Sequence, residues 1–247
     1  MRRSEITIDL DAVRDNARRL LEVLDGAELW AVVKANGYGH GAADVGAAAL
    51  DAGASSLCVA TVAEGLALRR VLGGARIVVL GPAGDVDAAR EARLDAARCG
   101  IALYGLSPFG ADPADDGLRP VLSWRSELVE VRRLAAGEST GYGRRFIAIA
   151  DTWIGLVPIG YADGFRRDLT GTQVLVAGKR CRVVGRVSMD SFAVSLPGEL
   201  AVGTPVTLIG DGLLAEEHAR IADTITYELV SRIESGPERA TRIVAGA

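Results

Sequence analysis

Lys34 and Lys179 are the only lysines among 28 basic residues, the remaining 26 being arginine. A chain that otherwise chooses guanidinium places Lys34 at the end of the apolar run Leu29–Val33, directly before Ala-Asn-Gly-Tyr-Gly-His-Gly. A buried parallel strand that feeds a glycine-rich loop puts its last side chain at the carboxyl end of the sheet, where barrel enzymes assemble their sites. An amine held among apolar groups is expected to have a lowered pKa, because burial disfavours the ammonium form. A neutral amine can condense with an aldehyde. The competing reading is a lysine that snorkels from a strand end to water. Lys179 sits in Val-Ala-Gly-Lys-Arg and reads as a solvated cation at a hairpin tip.

Other chemistries have little to work with. The two histidines, His40 and His218, are not spaced as metal ligands with any cysteine, so a zinc site is not expected. Cys58, Cys99 and Cys181 are odd in number and scattered, which suits small packed side chains better than disulfides. A net charge of −4 without a basic stripe gives no footprint for nucleic acid. No apolar run approaches the roughly 20 residues of a membrane span. The opening Met-Arg-Arg-Ser-Glu-Ile-Thr-Ile-Asp turns polar where a signal peptide would be apolar, so a cytoplasmic protein is expected.

The elements that must position Lys34 fall into two regions. Residues 1–106 alternate helix and strand. A helix follows Asp11, with Val13, Ala17, Leu20, Leu21 and Leu24 on one face. Strands are expected at Leu29–Val33, Leu57–Ala60, Ile77–Leu80 and Ile101–Tyr104. Helices are expected at Ala42–Ala52, from a Thr61/Glu64 capping box to Leu72, and over much of Asp85–Ala97. This alternation predicts a parallel sheet with helical cover. Residues 107–120, rich in Pro, Gly and Asp, read as a linker. Residues 121–247 read as short strands near 128–134, 153–159, 174–176, 182–187, 192–196 and 206–209. One helix at 221–233 and a last strand at 240–244 follow, giving a mainly-β sandwich or small barrel.

Val-Val-Lys-Ala-Asn-Gly-Tyr-Gly-His-Gly resembles the cofactor-lysine motif of bacterial alanine racemases. Four further segments resemble that family in the same order. They are Arg98-Cys-Gly-Ile-Ala-Leu-Tyr-Gly105, Gly141-Tyr-Gly143, Ile159-Gly-Tyr-Ala-Asp-Gly164 and Val184-Gly-Arg-Val-Ser-Met-Asp190. The resemblance implies a TIM-like α/β barrel followed by a β-domain, with pyridoxal 5'-phosphate held on Lys34. It implies interconversion of L- and D-alanine, supplying D-alanine for peptidoglycan, with Lys34 and Tyr142 as opposed acid/base groups. In the family that tyrosine comes from the partner subunit, so a homodimer with shared active sites is implied. Taken alone, Tyr142 would read as a tyrosine between turn glycines.

Further roles follow from the same resemblance. Arg98 would donate to the pyridine nitrogen, whereas without the family it reads equally as a helix-end cation. Tyr38 with the amides of Gly100 and Ile101 would hold the phosphate. Met189 and Asp190 would lie near the substrate, and Tyr161 would line an access channel or simply pack.

The chain departs from the family in length. A closed barrel takes about 250 residues and at least about 200, and residues 1–105 hold three or four strands. The implied fold is therefore a truncated barrel that lacks its fourth to seventh strands, with residues 81–97 bridging the gap. The family's carboxylate-binding Arg strand end, its ring-stacking His, its Asn-Ser pair and its C-terminal gating Tyr have no counterpart. His40 belongs to the lysine motif and does not replace the stacking His. Exposed strand edges are costly unless covered. Two half-barrels completing each other, a degenerate relic and an incompletely recorded gene all account for this pattern, and the sequence does not separate them.

Overall fold

A computed structural model describes residues 4–80 and 96–246 of the chain. It divides into two units. One comprises residues up to Ile8 together with Leu122–Ile243, and the other comprises Asp9–Val121 with the residues from Val244 onward. The N-terminal strand β1 (Glu5–Asp9) thus joins the later unit by antiparallel pairing with β6 (Leu122–Glu127), Ile6 opposite Trp124.

The barrel-like unit opens on α1 (Leu10–Leu24). Its N-cap is Asp9, two residues before the expected Asp11, and the Asp9 carboxylate accepts the Ala12 amide at 3.0 Å. Leu10, Ala12, Val13, Asn16 and Ala17 form its buried face. Four parallel strands follow in the spatial order β4-β3-β2-β5: β2 (Glu28–Val32), β3 (Ser56–Val59), β4 (Ile77–Val79) and β5 (Ala96–Cys99). The described residues hold four of the eight strands of a closed barrel, and the unit is a truncated α/β barrel. The cover comes from α3 (Ala42–Asp51) and α4 (Val62–Val71), with a short left-handed turn, α2 (Lys34–Tyr38), between β2 and α3. Gly46 lets α3 approach the sheet, since a Cβ there would lie 3.1 Å from Leu57. The capping box of α4 is complete, with Thr61 Oγ1 accepting from the Glu64 amide and the Glu64 carboxylate accepting from the Thr61 amide.

Two expectations change here. The fourth strand is Ala96–Cys99 rather than Ile101–Tyr104, because residues 96–99 pair in parallel with Glu28–Ala31 of β2. Gly100 then turns the chain, and Ile101–Tyr104 form a 3-10 turn over the carboxyl end of β2, where Tyr104 Oη donates to the Val32 carbonyl at 2.9 Å. The helix expected within Asp85–Ala97 lies largely outside the described residues, and its last two positions belong to β5. Residues 107–120, read as a linker, have structure of their own. They hold a 3-10 turn at Pro113–Asp116, and the Asn16 side chain on α1 accepts from the Arg119 amide at 2.8 Å and donates to its carbonyl at 2.9 Å.

The second unit is a nine-stranded sheet whose paired strands are antiparallel wherever their register is given. It is ordered β15-β1-β6-β14-β11-β12-β13-β10-β7. Its remaining strands are β7 (Glu130–Leu134), β10 (Thr152–Val157), β11 (Gln173–Val176), β12 (Lys179–Val184), β13 (Phe192–Leu196), β14 (Pro205–Ile209) and β15 (Thr241–Ala245), with a small pair β8 (Ser139–Thr140) and β9 (Phe146–Ile147) beside them. β1 and β6 were not expected from the sequence, and the single expected helix is two, α5 (Ala215–Ile221) and α6 (Thr226–Ser231). Phe165 stacks on Phe192 with ring centroids 4.3 Å apart and meets Trp124 edge-on in the core. Ala177 and Gly178 both have positive φ in the β11–β12 turn, and Lys179 is exposed just beyond them, as expected of a hairpin tip.

Candidate active site

Lys34 occupies the carboxyl end of β2, where the chain leaves the sheet as a left-handed turn. Ala35, Asn36, Gly37 and Tyr38 all have φ between 51° and 63°. For residues other than glycine this region costs on the order of 1–2 kcal/mol each, so the turn must be held by its surroundings. Gly37 and Gly39 amides donate to the Val33 and Ala35 carbonyls at 2.9 and 3.0 Å. The Asn36 side chain accepts from the Ala42 amide at 3.1 Å, tying the turn to α3. His40 is buried beneath it. Its Nδ1 lies 2.9 Å from the Tyr38 carbonyl and 3.1 Å from that of Gly37, and carbonyls only accept, so Nδ1 carries the proton. His40 is thus a brace of the lysine turn.

Lys34 itself is half-buried, less dry than the apolar run preceding it suggested. Beside it, Tyr38 is 6% exposed and packs against Tyr104 with ring centroids 5.0 Å apart. Burial lifts the Tyr104 phenol well above its usual range, which keeps it a neutral donor to Val32. The Tyr38 hydroxyl points at Gly100, where a Cβ would stand 2.8 Å from Oη. Gly100 also begins the Ile101–Tyr104 turn, which has no side-chain cap on its first amides. A phenolic hydroxyl, a bare glycine backbone and the uncapped start of a 3-10 turn therefore converge at the sheet end that carries Lys34. Such a grouping can accept an anion, a phosphate among them, beside an amine. Arg98 pairs with Trp30 through the backbone of β5, and its side chain lies outside the described part of the structure.

The other expected residues gather in the second unit. Tyr142, Tyr161, Met189 and Asp190 line one cavity of about 500 Å³ together with Arg167 and Arg186. Tyr142 sits on a 3-10 turn between Gly141 (φ 78°) and Gly143 (φ 72°), and is 73% exposed. Gly141 is needed for the turn to lie flat on its neighbour, because a Cβ there would stand 3.3 Å from the Arg186 nitrogen. The Tyr161 and Met189 turns are joined through backbone. Tyr161 and Ala162 amides donate to the Ser188 and Met189 carbonyls, each at 3.0 Å. Only glycine fits at 160, where a Cβ would fall 2.3 Å from the Met189 oxygen. Arg239 clamps both turns from below, its Nη1 2.7 Å from Asp163 and its Nη2 3.0 Å from Asp190.

Arg186 lies inside the Val184–Asp190 segment singled out in the sequence without a role of its own, and the sequence did not point to Arg167 or Arg239 as neighbours of these residues. For Arg167 and Arg239 the preference for arginine over lysine was the one visible trace. His218, the second histidine, is a core residue whose Nε2 is 2.6 Å from the Leu208 carbonyl and whose Nδ1 is 2.8 Å from Thr172. No metal-binding cluster and no helix able to cross a membrane occur among the described residues.

Comparison with known proteins brings both units under one description. The family model described as alanine racemase, N-terminal domain, matches residues 8–94, and that described as alanine racemase, C-terminal domain, matches residues 121–242. The alanine racemase of Ligilactobacillus salivarius is 31% identical over 367 aligned positions, covering 98% of this chain and 98% of that protein. A 247-residue chain cannot fill 367 positions, so at least 120 positions of that alignment face no residue here. The crystal structure of alanine racemase from a D-cycloserine-producing Streptomyces lavendulae matches with a TM-score of 0.90 at 28% identity, over 100% of this chain and 98% of that one. The alanine racemase of Bartonella henselae with covalently bound pyridoxal phosphate shares the fold, at 23% identity and a TM-score of 0.87, over 99% of this chain and 100% of that one.

Proposed function

This chain belongs to the alanine racemase family, a family of isomerases, and from that premise we propose that it interconverts L- and D-alanine with Lys34 and Tyr142 as its two acid/base groups. The observation that carries the reading is the convergence of the Tyr38 hydroxyl, the open backbone of Gly100 and the uncapped Ile101–Tyr104 turn at the sheet end that bears Lys34. These residues fit the phosphate and aldehyde ends of pyridoxal phosphate. When bound, that group supplies an aldehyde for the amine and a ring that accepts the electron pair left at the substrate α-carbon.

The chain's own residues do the rest. Tyr38 and the Gly100 and Ile101 amides bind and orient the phosphate. The left-handed turn aims Lys34 from the strand end, and its Nζ would hold the cofactor and, as a free amine, move a proton on one face of the α-carbon. Tyr142 moves the proton on the opposite face through its phenolic oxygen, since inversion needs a donor where the acceptor is not. Arg98 would donate to the ring nitrogen. Met189 and Asp190 would bound the substrate, and Tyr161 would line the approach to it. Lys34 and Tyr142 belong to different units, and a homodimer in which each site takes its tyrosine from the partner is part of the proposal. The test is purified protein with added pyridoxal phosphate: D-alanine formed from L-alanine by the wild type, and none by Lys34→Ala, supports the reading.

The 120 or more unfilled alignment positions favour a second reading, a catalytically impaired member that binds the cofactor weakly or serves as a dimerising domain. Cofactor uptake without D-alanine formation supports it over the first.

A further inference from the structure

We infer that Glu64 is a positioning residue for Lys34, its carboxylate fixing the left-handed turn that begins one residue after the lysine. The Glu64 side chain has two employments. Oε2 accepts the Ala60 and Thr61 amides at 2.8 and 3.1 Å, which closes the start of α4. Oε1 reaches away from that helix and accepts the Ala35 amide at 2.7 Å. The second bond contributes nothing to the capping box. It spans 29 residues and lands on the first left-handed residue of the lysine turn.

The position of that bond matters. The Ala35 amide shares its peptide plane with the Lys34 carbonyl, so an acceptor fixed at Oε1 sets the plane's orientation and the direction in which the Lys34 side chain leaves the strand. Ala35 and Asn36 are exposed, and L residues rarely hold φ near 51° without an outside constraint. A charged acceptor at 2.7 Å is a strong constraint of that kind. Glu64 thereby anchors the turn to β3–α4, as Asn36 anchors it to α3.

The functional consequence rests on the proposed role of Lys34, whereas the structural one does not, and the experiment separates them. Thr61→Ala removes the hydroxyl half of the helix cap and leaves the bond to Ala35, so it controls for helix fraying. Glu64→Ala removes the carboxylate half of the cap together with the bond to Ala35, and keeps the Thr61 hydroxyl's bond to the residue-64 amide. Glu64→Gln keeps one carbonyl oxygen, which can serve Ala35 or the Ala60/Thr61 pair but not both. Amide hydrogen exchange on the full chain is the first readout. Exchange at Gly37 and Gly39 is expected to rise about tenfold or more in Glu64→Ala relative to Thr61→Ala, with Glu64→Gln in between. The second readout is the rate at which pyridoxal phosphate becomes borohydride-fixed on Lys34, expected to fall about tenfold in Glu64→Ala and to be unchanged in Thr61→Ala. Exchange at Gly37 and Gly39 no faster than in Thr61→Ala overturns the tether. Faster exchange with an unchanged fixation rate overturns its role in aiming the lysine. Failure of the wild type to be modified overturns the role of Lys34, and the exchange comparison still decides the tether.

Discussion

The hydroxyl of Tyr38 occupies the space that a side chain at position 100 would need, with a Cβ built on Gly100 falling 2.8 Å from Oη and 3.6 Å from Cζ. The two residues are 62 positions apart and meet only because β5 pairs with β2 and ends beside the lysine turn. This close approach is the structural core of the proposed phosphate cradle.

Gly100→Ala is therefore expected to push the Tyr38 hydroxyl aside and weaken retention of pyridoxal phosphate about tenfold, measured by equilibrium dialysis. Tyr38→Phe removes the same hydroxyl and is expected to cost a similar amount. Because one contact is lost in both, the double variant should bind little worse than either single one. Additive losses would show that the two positions act independently.

Tyr142→Phe is expected to lower racemisation by a factor of roughly 10²–10⁴ while leaving covalent capture of the cofactor on Lys34 intact. The side chain is 73% exposed, so its melting temperature should stay at the wild-type value. Racemisation at near wild-type rate would remove Tyr142 from the mechanism.

Arg239 is the cation for Asp163, whose side chain is 2% exposed, and it also holds Asp190. Arg239→Ala takes the cation away from this buried carboxylate, which keeps the bond from the Gly160 amide at 2.8 Å. Because Arg239 is partly exposed, water can reach the gap, and a lower urea midpoint is expected, short of the full cost of breaking a buried ion pair. An unchanged urea midpoint would mean that the clamp is not needed to join the Tyr161 and Met189 turns.

His218 gives the fold a pH dependence of known sign. Burial pushes its folded pKa below the ordinary 6.5, because the imidazolium is disfavoured in the core. As pH falls through that value the unfolded chain takes up the proton first, so stability is fully present above about 6.5 and declines below it. The wild type should lose more melting temperature between about pH 7.5 and pH 5.5 than His218→Gln, which cannot titrate. Equal losses would assign the acid sensitivity to other groups.

Much of this molecule could be read from its residues, for identifiable reasons. The run Leu29–Val33 and the Thr61/Glu64 box are local signals, an apolar run and capping; the box lies where expected and the strand one residue earlier, at Glu28–Val32. The lysine turn was legible as a motif, but its left-handed backbone was not, since it depends on bonds from Asn36 to Ala42 and from Glu64 to Ala35 that no local pattern announces. Ile101–Tyr104 has the composition of a strand and is a 3-10 turn because Ala96–Cys99 takes the pairing position beside β2. β1 and β6 were missed for a related reason. Glu5–Asp9 is a strand only through its neighbours β6 and β15, each more than 110 residues away. The Tyr142, Tyr161 and Met189 segments could be named in advance, whereas Arg239, which joins two of them, comes from the chain's far end and carries no motif of its own.

The account stands on the amine of Lys34. Incubating the full-length protein with pyridoxal phosphate, reducing with borohydride and mapping peptides by mass spectrometry tests it directly. A pyridoxyl group on Lys34 of the wild type, absent from Lys34→Ala and not transferred to Lys179, is the predicted result. An unmodified Lys34 peptide, or labelling of both lysines to the same extent, would contradict it.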